Sequence, residues 1–301
     1  MTGDLSLLMY HRVLPAADPL LPGTPDQPTF ARQMRLVKRW FQVLPLPQAL
    51  DLLDRHCLPA RALAITFDDG YADNAELALP ILQDLGLSAT FFIASAYLDG
   101  GRMWNDAIID HVRQAPAGML DGGIAGVGLL PVDTPVQRCQ AIAQMLAALK
   151  YRPFGERQAI ADQLAPARAA PLMMTSHQVV QLHRAGMTIG GHTHRHPILA
   201  TLNDAAARQD IAENRQRLEQ LTGAPVDLFA YPNGKPGADF DVRHPPLLRD
   251  LGFRAAVTTS PGVTRTGTDR LLLPRYTPWQ VDSPRFLLGL MMNRRRSSPQ
   301  Q

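Results

Sequence analysis

Residues 64–70 read Ala-Ile-Thr-Phe-Asp-Asp-Gly, a short apolar run that ends in two neighbouring carboxylates and a glycine. The apolar run is typical of a buried strand, and Gly70 permits a sharp turn at its end. Adjacent acids repel each other unless a cation lies between them or one carboxyl is protonated. We therefore interpret Asp68 and Asp69 as one half of a site at the end of this strand.

The other half lies more than 120 residues later, where residues 191–196 read Gly-His-Thr-His-Arg-His. His192 and His196 are four residues apart, a spacing that places both rings on one side of a helical turn. With one carboxylate they make a set of two nitrogens and one oxygen, which suits zinc, while iron, cobalt or nickel would also fit. We predict that the two segments meet around one divalent ion, with His194 as a supporting or surface residue.

Each segment alone also has an ordinary structural interpretation. Histidines four apart are common on solvated helices, and Asp-Asp-Gly is usually a turn. In the functional interpretation, the metal lowers the pKa of a bound water and polarises a carbonyl, and the carboxylate that does not bind the metal acts as general base. Because both segments follow predicted strands, their combination favours a site.

The composition indicates a globular protein with a sizeable core. The chain has 301 residues, of which 46% are hydrophobic and 19% charged, so global disorder is not expected. Its net charge of +3 is too small to indicate a nucleic-acid-binding protein. Cys57 and Cys139 are predicted to be free thiols. Neither a signal peptide nor a membrane-length apolar run is visible, so we expect a cytoplasmic protein.

Strands alternate with helices along most of the chain, which predicts an α/β fold with a parallel sheet. About six strands without a Gly-x-Gly-x-x-Gly turn favour a TIM-like barrel over a dinucleotide-binding fold. His11, the Asp68–Asp69 pair, His192, Asn233 and Arg275 each follow a predicted strand, and in a barrel these positions share one rim. The predicted strands are 5–10, 41–44, 62–67, 89–94, 187–190, 227–230 and 255–259, with 271–273 as a further candidate.

Residues from about 99 to 170 break this alternation with predicted helices and a glycine-rich stretch. We interpret this block as a helical insertion within a single domain, residues 1–285; it either pads the fold or shapes the substrate cleft. Residues 286–301 are predicted to be the end of a terminal helix with a frayed basic tail. The alternative for this tail is contact with an anionic membrane surface.

The two segments, Thr66-Phe67-Asp68-Asp69-Gly70 and His192-Thr193-x-x-His196, resemble the first two motifs of the polysaccharide deacetylase family, also called the NodB-homology or carbohydrate esterase 4 family. The similarity extends to residues 8–12 and 229–234, and covers about 5–275 without the insertion. It implies a deformed (β/α)₇ barrel. It also implies a hydrolase of non-peptide carbon–nitrogen bonds that removes N-acetyl groups from amino sugars, or sometimes O-acetyl groups from sugars.

The resemblance also implies roles for individual residues. Asp68 would be the general base, and Asp69 would bind the metal with His192 and His196. The backbone N–H of Asn233, in the segment that follows Tyr231, would stabilise the oxyanion.

Many family members carry an arginine two residues before the third-motif proline, where this chain has Ala230. We expect Arg275 to replace it and to hold Asp68; the alternative is an ordinary surface arginine. Many members also use a late histidine as general acid, but no histidine follows His244. We assign this role to His11; the alternative is a structural histidine that caps the first strand.

Several nearby side chains have more than one interpretation. Trp104 and Tyr231 are candidates for stacking on a sugar ring, with core packing as the alternative. Tyr71, Asp73 and Asn74 are interpreted as turn and helix-capping residues, with Asp73 or Asn74 at the start of a predicted helix 75–85. Thr29, Thr134 and Ser176 are predicted to cap helices that end near residues 40, 151 and 185.

The sequence therefore predicts a metal-dependent deacetylase that acts on a carbohydrate bearing N-acetyl groups. One alternative is a related amide hydrolase on the same scaffold, such as a deformylase or a cyclic amide hydrolase. Another is a catalytically silent glycan-binding barrel, which the intact Asp68, Asp69, His192 and His196 argue against.

Overall fold

The structure is a computed structural model that describes residues 3–165, 171–280 and 282–294. The chain divides into two compact units. The first contains Met1–Ala16, Gly23–Asp99 and Met173–Gln301, and the second contains Ala17–Pro22 and Gly100–Leu172. The second unit includes almost all of the block that we interpret as an insertion. The grouping of both units into one domain stays a prediction.

Nine strands and ten α-helices are formed by the described residues. In chain order the strands are β1 (Leu5–Tyr10), β2 (Gln42–Val43), β3 (Ala62–Phe67), β4 (Ala89–Ile93), β5 (Met119–Asp121), β6 (Leu129–Pro131), β7 (Thr188–Gly191), β8 (Leu228–Ala230) and β9 (Ala255–Val257). The helices are α1 (Gln27–Trp40), α2 (Leu46–Asp54), α3 (Leu79–Asp84), α4 (Trp104–Gln114), α5 (Pro135–Leu149), α6 (Phe154–Leu164), α7 (Ser176–Arg184), α8 (Asp204–Thr222), α9 (His244–Asp250) and α10 (Ser283–Arg294).

The first unit is built on one parallel sheet, with strand order β1-β3-β4-β7-β8-β9 and β2 beside β3. Residues 273–276 connect its two ends, because Leu273 bridges to Val257 of β9 and Tyr276 bridges to Leu8 of β1. The predicted candidate strand 271–273 is thus reduced to a single bridge. The prediction of an α/β fold with a deformed (β/α)₇ barrel is confirmed.

The strands are apolar because both faces of this sheet are covered. Every residue of β1, β3 and β4 is buried, as expected for parallel strands between a barrel interior and outer helices. Phe67 stacks on Phe91 with ring centroids 4.8 Å apart, and on Tyr10 at 5.5 Å. This packing holds the end of β3 rigidly, at the point where the carboxylates follow.

Helix starts differ from the predictions by a few residues. Helix α1 is capped by Asp26, whose side chain accepts the Thr29 N–H at 3.0 Å, so the prediction of Thr29 as cap is wrong. Helix α7 is capped by Thr175 rather than Ser176. Both true caps are good cap residues with extended backbones, and backbone torsions rather than residue types distinguish them from their neighbours.

The helix predicted from Ala75 to Leu85 begins as a π-helix, Asn74–Ala78, before it continues as α3. Neither Asp73 nor Asn74 caps it by a side-chain hydrogen bond within the described residues. Wide π-turns are frequent near functional sites, and this one follows the carboxylate pair directly.

The second unit has its own apolar core, formed by α4, α5, α6 and a short antiparallel hairpin of β5 and β6. Thr134 caps α5 in a reciprocal pair with Gln137, as predicted. Trp104 is buried in this core under the guanidinium of Arg157, 4.8 Å from the ring centroid. This placement matches the core-packing interpretation of Trp104.

The free state of Cys57 and Cys139 is confirmed. Among the described residues, none of the helices combines the length and the apolar character that a membrane crossing requires. Helix α10 ends at Arg294. Residues 295–301, the greater part of the predicted basic tail, lie outside the described residues.

Candidate active site

Three potential metal ligands meet at the carboxyl-terminal edge of the sheet. Asp69 follows β3, and His192 and His196 follow β7. Oδ1 of Asp69 lies 3.3 Å from Nε2 of His192 and 3.3 Å from Nε2 of His196. The two Nε2 atoms are 3.2 Å apart; Asp69 and His192 are buried, and the His196 side chain is 12% exposed. The structure thus brings together the two segments that the sequence separates.

This triangle of donor atoms fits a zinc site. A tetrahedral Zn²⁺ with bonds of about 2.0–2.1 Å needs donor atoms about 3.3–3.4 Å apart. Two imidazole nitrogens and one carboxylate oxygen leave a fourth position for water or substrate, as catalytic zinc sites require. Two imidazole nitrogens at 3.2 Å make a hydrogen bond only if one ring carries its proton on Nε2, whereas a cation between them would accept both Nε2 lone pairs. The donor set therefore fits a divalent cation.

The electrostatics of the site also favour a cation. Burial raises the pKa of Asp69, but the hydrogen bond from His192 and the nearby imidazoles more than offset it and hold the pKa well below its usual range. Burial lowers the pKa of His192, but hydrogen bonding to Asp69 and the two carboxylate charges raise it above its ordinary value. Each imidazole thus faces negative charge.

The ligands converge through unusual backbone torsions, not through a helix. No helix spans residues 192–198, so the prediction that a helical turn brings the two rings together is wrong. Thr193 and His196 adopt left-handed torsions, with φ of 62° and 53°, and Asp69 has φ of 75°. Such torsions are uncommon outside glycine and tend to cluster at functional sites. They fold the loop back so that both Nε2 atoms reach the same oxygen.

The His192 ring is oriented by the neighbouring strand. Its Nδ1 lies 2.7 Å from the carbonyl oxygen of Ala230, at the end of β8. Because a carbonyl only accepts, Nδ1 carries a proton, which leaves Nε2 as the His192 nitrogen that would bind a metal. Ala230, where many family members have arginine, thus contributes its backbone to the site.

The neighbouring carboxylate, that of Asp68, is held by Arg275. The guanidinium donates two hydrogen bonds, Nη1 to Oδ1 at 2.7 Å and Nη2 to Oδ2 at 2.6 Å. Burial raises the pKa of Asp68, but the charge and hydrogen bonds of Arg275 hold it below its usual value. Arg275 also donates to Thr66 and to the Thr258 carbonyl, and it is 1% exposed. It is therefore not a surface arginine.

His11 lies at the end of β1, near both carboxylates. Electrostatic interaction with His11 contributes to the lowered pKa of Asp68 and of Asp69. Asn74 Nδ2 donates to the His11 carbonyl at 2.8 Å, while Asp73 accepts the Val13 N–H at 3.2 Å. The residues that we interpreted as caps thus hold the His11 segment instead.

Tyr231 and Asn233 have different environments. Tyr231 is fully buried and its ring stacks on Phe240, with centroids 3.7 Å apart, so the structure does not support stacking on a sugar. Burial also raises the pKa of its hydroxyl. Asn233 is partly exposed, with φ of 58°, in the turn after β8. Its carbonyl accepts a hydrogen bond from the Thr259 hydroxyl at 2.8 Å, which holds this turn.

Sequence reasoning missed several residues of the site. Asp210 and Asn214 of α8 contact the loop between the two histidines. The sequence contained an indication of this, because both are polar residues on a helix face whose other buried residues are apolar. Trp279, 67% exposed, lines a small cavity together with His11. Its position after Arg275 carried no pattern that predicts this proximity.

The chain is similar to known deacetylases in sequence. The family model described as polysaccharide deacetylase matches residues 55–121 and 133–256, more than half of the chain. YxkH of Bacillus subtilis (strain 168), a protein described under the same family name, is 33% identical over 91 residues. That match covers 30% of this chain and 31% of YxkH, so it spans less than a third of the relative.

Two solved structures illustrate the similarity in fold. The Streptococcus pyogenes deacetylase PplD, solved in complex with acetate, has a TM-score of 0.64 at 18% identity and covers 97% of this chain and 99% of its own. IcaB from Ammonifex degensii has a TM-score of 0.64 at 18% identity, with 97% of each chain covered. Because the family model matches most of the sequence and the fold agrees, we conclude that this protein belongs to the polysaccharide deacetylase family of enzymes.

Proposed function

We propose that this protein is a metal-dependent hydrolase that removes N-acetyl groups from an amino-sugar-containing polysaccharide or glycan precursor. The observation that carries the proposal is the triangle of Asp69, His192 and His196 donor atoms beside the Asp68–Arg275 pair. A ligand set with an open position next to an ionised, oriented carboxylate is what metal-assisted amide hydrolysis requires.

Zn²⁺ is the ion that we propose for the site, because its bond lengths and its nitrogen and oxygen preferences match the triangle. Iron, cobalt or nickel would be alternatives with the same ligands. When bound, the ion acts as a Lewis acid toward water and the acetyl carbonyl. Asp69, His192 and His196 are the residues that would hold it.

Asp68 would act as the general base. Arg275 donates one hydrogen bond to each carboxylate oxygen, which leaves further lone pairs free to accept a proton from the attacking water. The same two bonds keep the carboxylate ionised and fix its plane. As the water oxygen bonds to the acetyl carbon, Asp68 would take the released proton.

The developing negative charge on the acetyl oxygen needs a donor, and we propose the backbone N–H of Asn233. Among the described residues, that N–H has no hydrogen-bond acceptor. The turn that presents it follows β8, next to the strand that delivers His192. A donor already held in place stabilises an oxyanion without further rearrangement.

His11 would protonate the leaving amine nitrogen as the carbon–nitrogen bond breaks, which yields acetate and a free amino sugar. Its location supports this role, because β1 lies beside β3 and places His11 near both carboxylates. Cleavage of an amide without proton donation to nitrogen would expel a very basic anion, so a general acid is required.

The proposal is tested by acetate release from N-acetylglucosamine oligomers, with formate release from N-formyl substrates measured in parallel. We expect a chelator to abolish acetate release and Zn²⁺ to restore it. Asp69→Asn and Asp68→Asn should each lose nearly all activity, while His177→Gln, on the exposed surface of α7, should retain it. Formate without acetate would instead favour the deformylase, and neither product would favour the glycan-binding barrel.

A further inference from the structure

We propose that Asp210 and Asn214, two buried residues of α8, are positioning residues that hold the His192–His196 loop in its metal-binding conformation. This inference rests on the proposed metal-dependent function. Neither residue contacts the triangle of donor atoms; both act on the backbone between the two histidines. Their role is to fix the backbone positions from which the two imidazole side chains extend, and these positions determine whether the rings can meet.

The loop needs such support because its backbone is costly to hold. Left-handed torsions at Thr193 and His196 each disfavour the observed conformation by about 1 kcal/mol or more. Without external contacts, a loop of this composition would populate extended or right-handed conformations, and the two Nε2 atoms would separate. The metal-binding geometry therefore depends on hydrogen bonds from outside the loop.

Asn214 anchors the start of the loop. Its Oδ1 accepts the His192 N–H at 3.1 Å. Its Nδ2 donates to the Ile93 carbonyl and to the Ser95 hydroxyl, both at 2.9 Å. One side chain thus ties the first histidine to the end of β4, the strand beside β7.

Asp210 anchors the middle of the loop. Its Oδ1 accepts the N–H of His194 at 2.7 Å and that of Arg195 at 3.2 Å. Its Oδ2 accepts from Arg195 Nε at 2.8 Å. The two successive backbone donors are captured by one oxygen, which pins the turn that reverses the chain toward His196. Ser95 completes the network, since its hydroxyl lies 3.0 Å from Nδ1 of His194.

Both side chains are polar and buried on a helix face whose other buried residues are apolar, which argues for a role beyond packing. Asp210 and Asn214 are four residues apart on one face and are at most 1% exposed. A buried carboxylate or amide is tolerated only when its hydrogen bonds are made, and here most of them are made to the metal-ligand loop. Gly191 leaves the room required, because a Cβ there would lie 2.7 Å from Asn214 Oδ1.

The test is Zn²⁺ affinity of the full chain, measured by competition with a chromophoric chelator, so that no substrate is needed. We expect Asn214→Leu, which keeps the volume and removes the hydrogen bonds, to weaken Zn²⁺ binding about 10-fold or more. Asp210→Ala should do the same, whereas Asp210→Asn, which keeps the acceptor oxygen, should restore most of the affinity. This recovery would attribute the loss to the hydrogen bonds from the His194 and Arg195 backbone N–H groups rather than to lost side-chain volume.

The matched control is Asn203→Ala on the same helix. Asn203 caps α8 through the Ala206 N–H at 2.9 Å and lies outside the loop. The Asn203→Ala substitution should lower the free energy of unfolding by about 1 kcal/mol, while the Zn²⁺ affinity stays within twofold of wild type. Equal losses of affinity in Asn203→Ala and Asn214→Leu would overturn the proposal, because general destabilisation would then explain both.

A milder variant covers the case in which Asn214→Leu does not fold. Ser95→Ala removes one hydrogen bond of Asn214 and the contact with His194, and we expect affinity to fall roughly 3-fold. Unchanged affinity in Ser95→Ala and in Asp210→Ala would overturn the inference while the proposed function stands. Failure of the wild-type protein to bind Zn²⁺, with cobalt, nickel and iron equally unbound, would overturn both.

Discussion

Arg275 and Asp68 form a two-point ion pair with almost no solvent exposure, with Nη2 of the arginine 2.6 Å from Oδ2 of the aspartate. Such a pair contributes little net stability relative to an apolar pair of the same shape, but removal of one partner leaves a buried charge. The pair therefore links the ionisation of the proposed base to the integrity of the fold.

We predict that Arg275→Met lowers the free energy of unfolding by about 3–5 kcal/mol and abolishes acetate release, because it leaves the Asp68 carboxylate buried and uncompensated. Denaturant unfolding measures the first effect. The double variant Asp68→Asn/Arg275→Met should recover much of the stability but none of the activity. An Arg275→Met protein as stable as wild type would contradict the importance of the clamp.

The proposed general acid leads to a second prediction at this scale. His11→Ala should reduce acetate release from an N-acetyl amide by about 10²–10⁴-fold. Hydrolysis of an aryl acetate should be far less affected, because its leaving group departs without a proton. Steady-state rates on both substrates separate this role from a structural one; an equal loss on both would assign His11 to structure, and full turnover on the amide would exclude it as the acid.

At the level of elements, the carboxylates and imidazoles are placed by strand ends and loops, while helices supply the supporting contacts. Helix α1 illustrates how one residue sets an element's start. Its cap Asp26 accepts the Thr29 N–H at 3.0 Å. Hydrogen bonding with the Thr29 side chain outweighs the effect of burial and, together with a smaller contribution from that N–H, lowers the Asp26 pKa from its ordinary value of 3.8.

We predict that Asp26→Ala lowers the free energy of unfolding by about 1 kcal/mol at neutral pH. Because the folded state favours the charged carboxyl, this contribution is present above the unfolded pKa and is lost as the pH falls through the folded-state value, below 3.8. Asp26→Asn is the control, since it caps without titrating. Denaturant unfolding of both proteins measures this effect. The free energy of unfolding of wild type relative to Asp26→Asn should fall between neutral pH and the folded-state pKa.

For the whole first unit, metal binding would connect segments that lie far apart in sequence. The triangle joins the residue after β3 to two residues after β7, and a ligand that binds only the folded state stabilises it by mass action. Metal content and folding stability are therefore expected to change together.

We predict that Zn²⁺ at about 100 times its dissociation constant stabilises the protein by about 2.7 kcal/mol and raises the apparent Tm by several degrees. Differential scanning fluorimetry with and without a chelator measures this shift. Asp69→Asn should show no comparable shift, because one ligand is missing. The same shift in Asp69→Asn would place the stabilising zinc elsewhere.

Much of this arrangement is encoded in short segments. The apolar strand that ends in Asp68 and Asp69 is visible because continuous burial requires continuous apolar residues, and adjacent acids at its end are unusual without a cation. Parallel strand order then implies that His192 and Arg275 share their rim. Neither inference needs knowledge of distant contacts.

Other features depend on contacts between distant segments and have no local pattern. Examples are the loop with left-handed torsions in place of a helical turn, the burial of Tyr231 against Phe240, and the hydrogen bond from the His192 N–H to Asn214. Residue types and strand ends are local properties, so the chemistry of the site can be inferred from them. The direction of each side chain is set by backbone torsions that packing against other elements must hold, and these torsions appear only once the chain has folded.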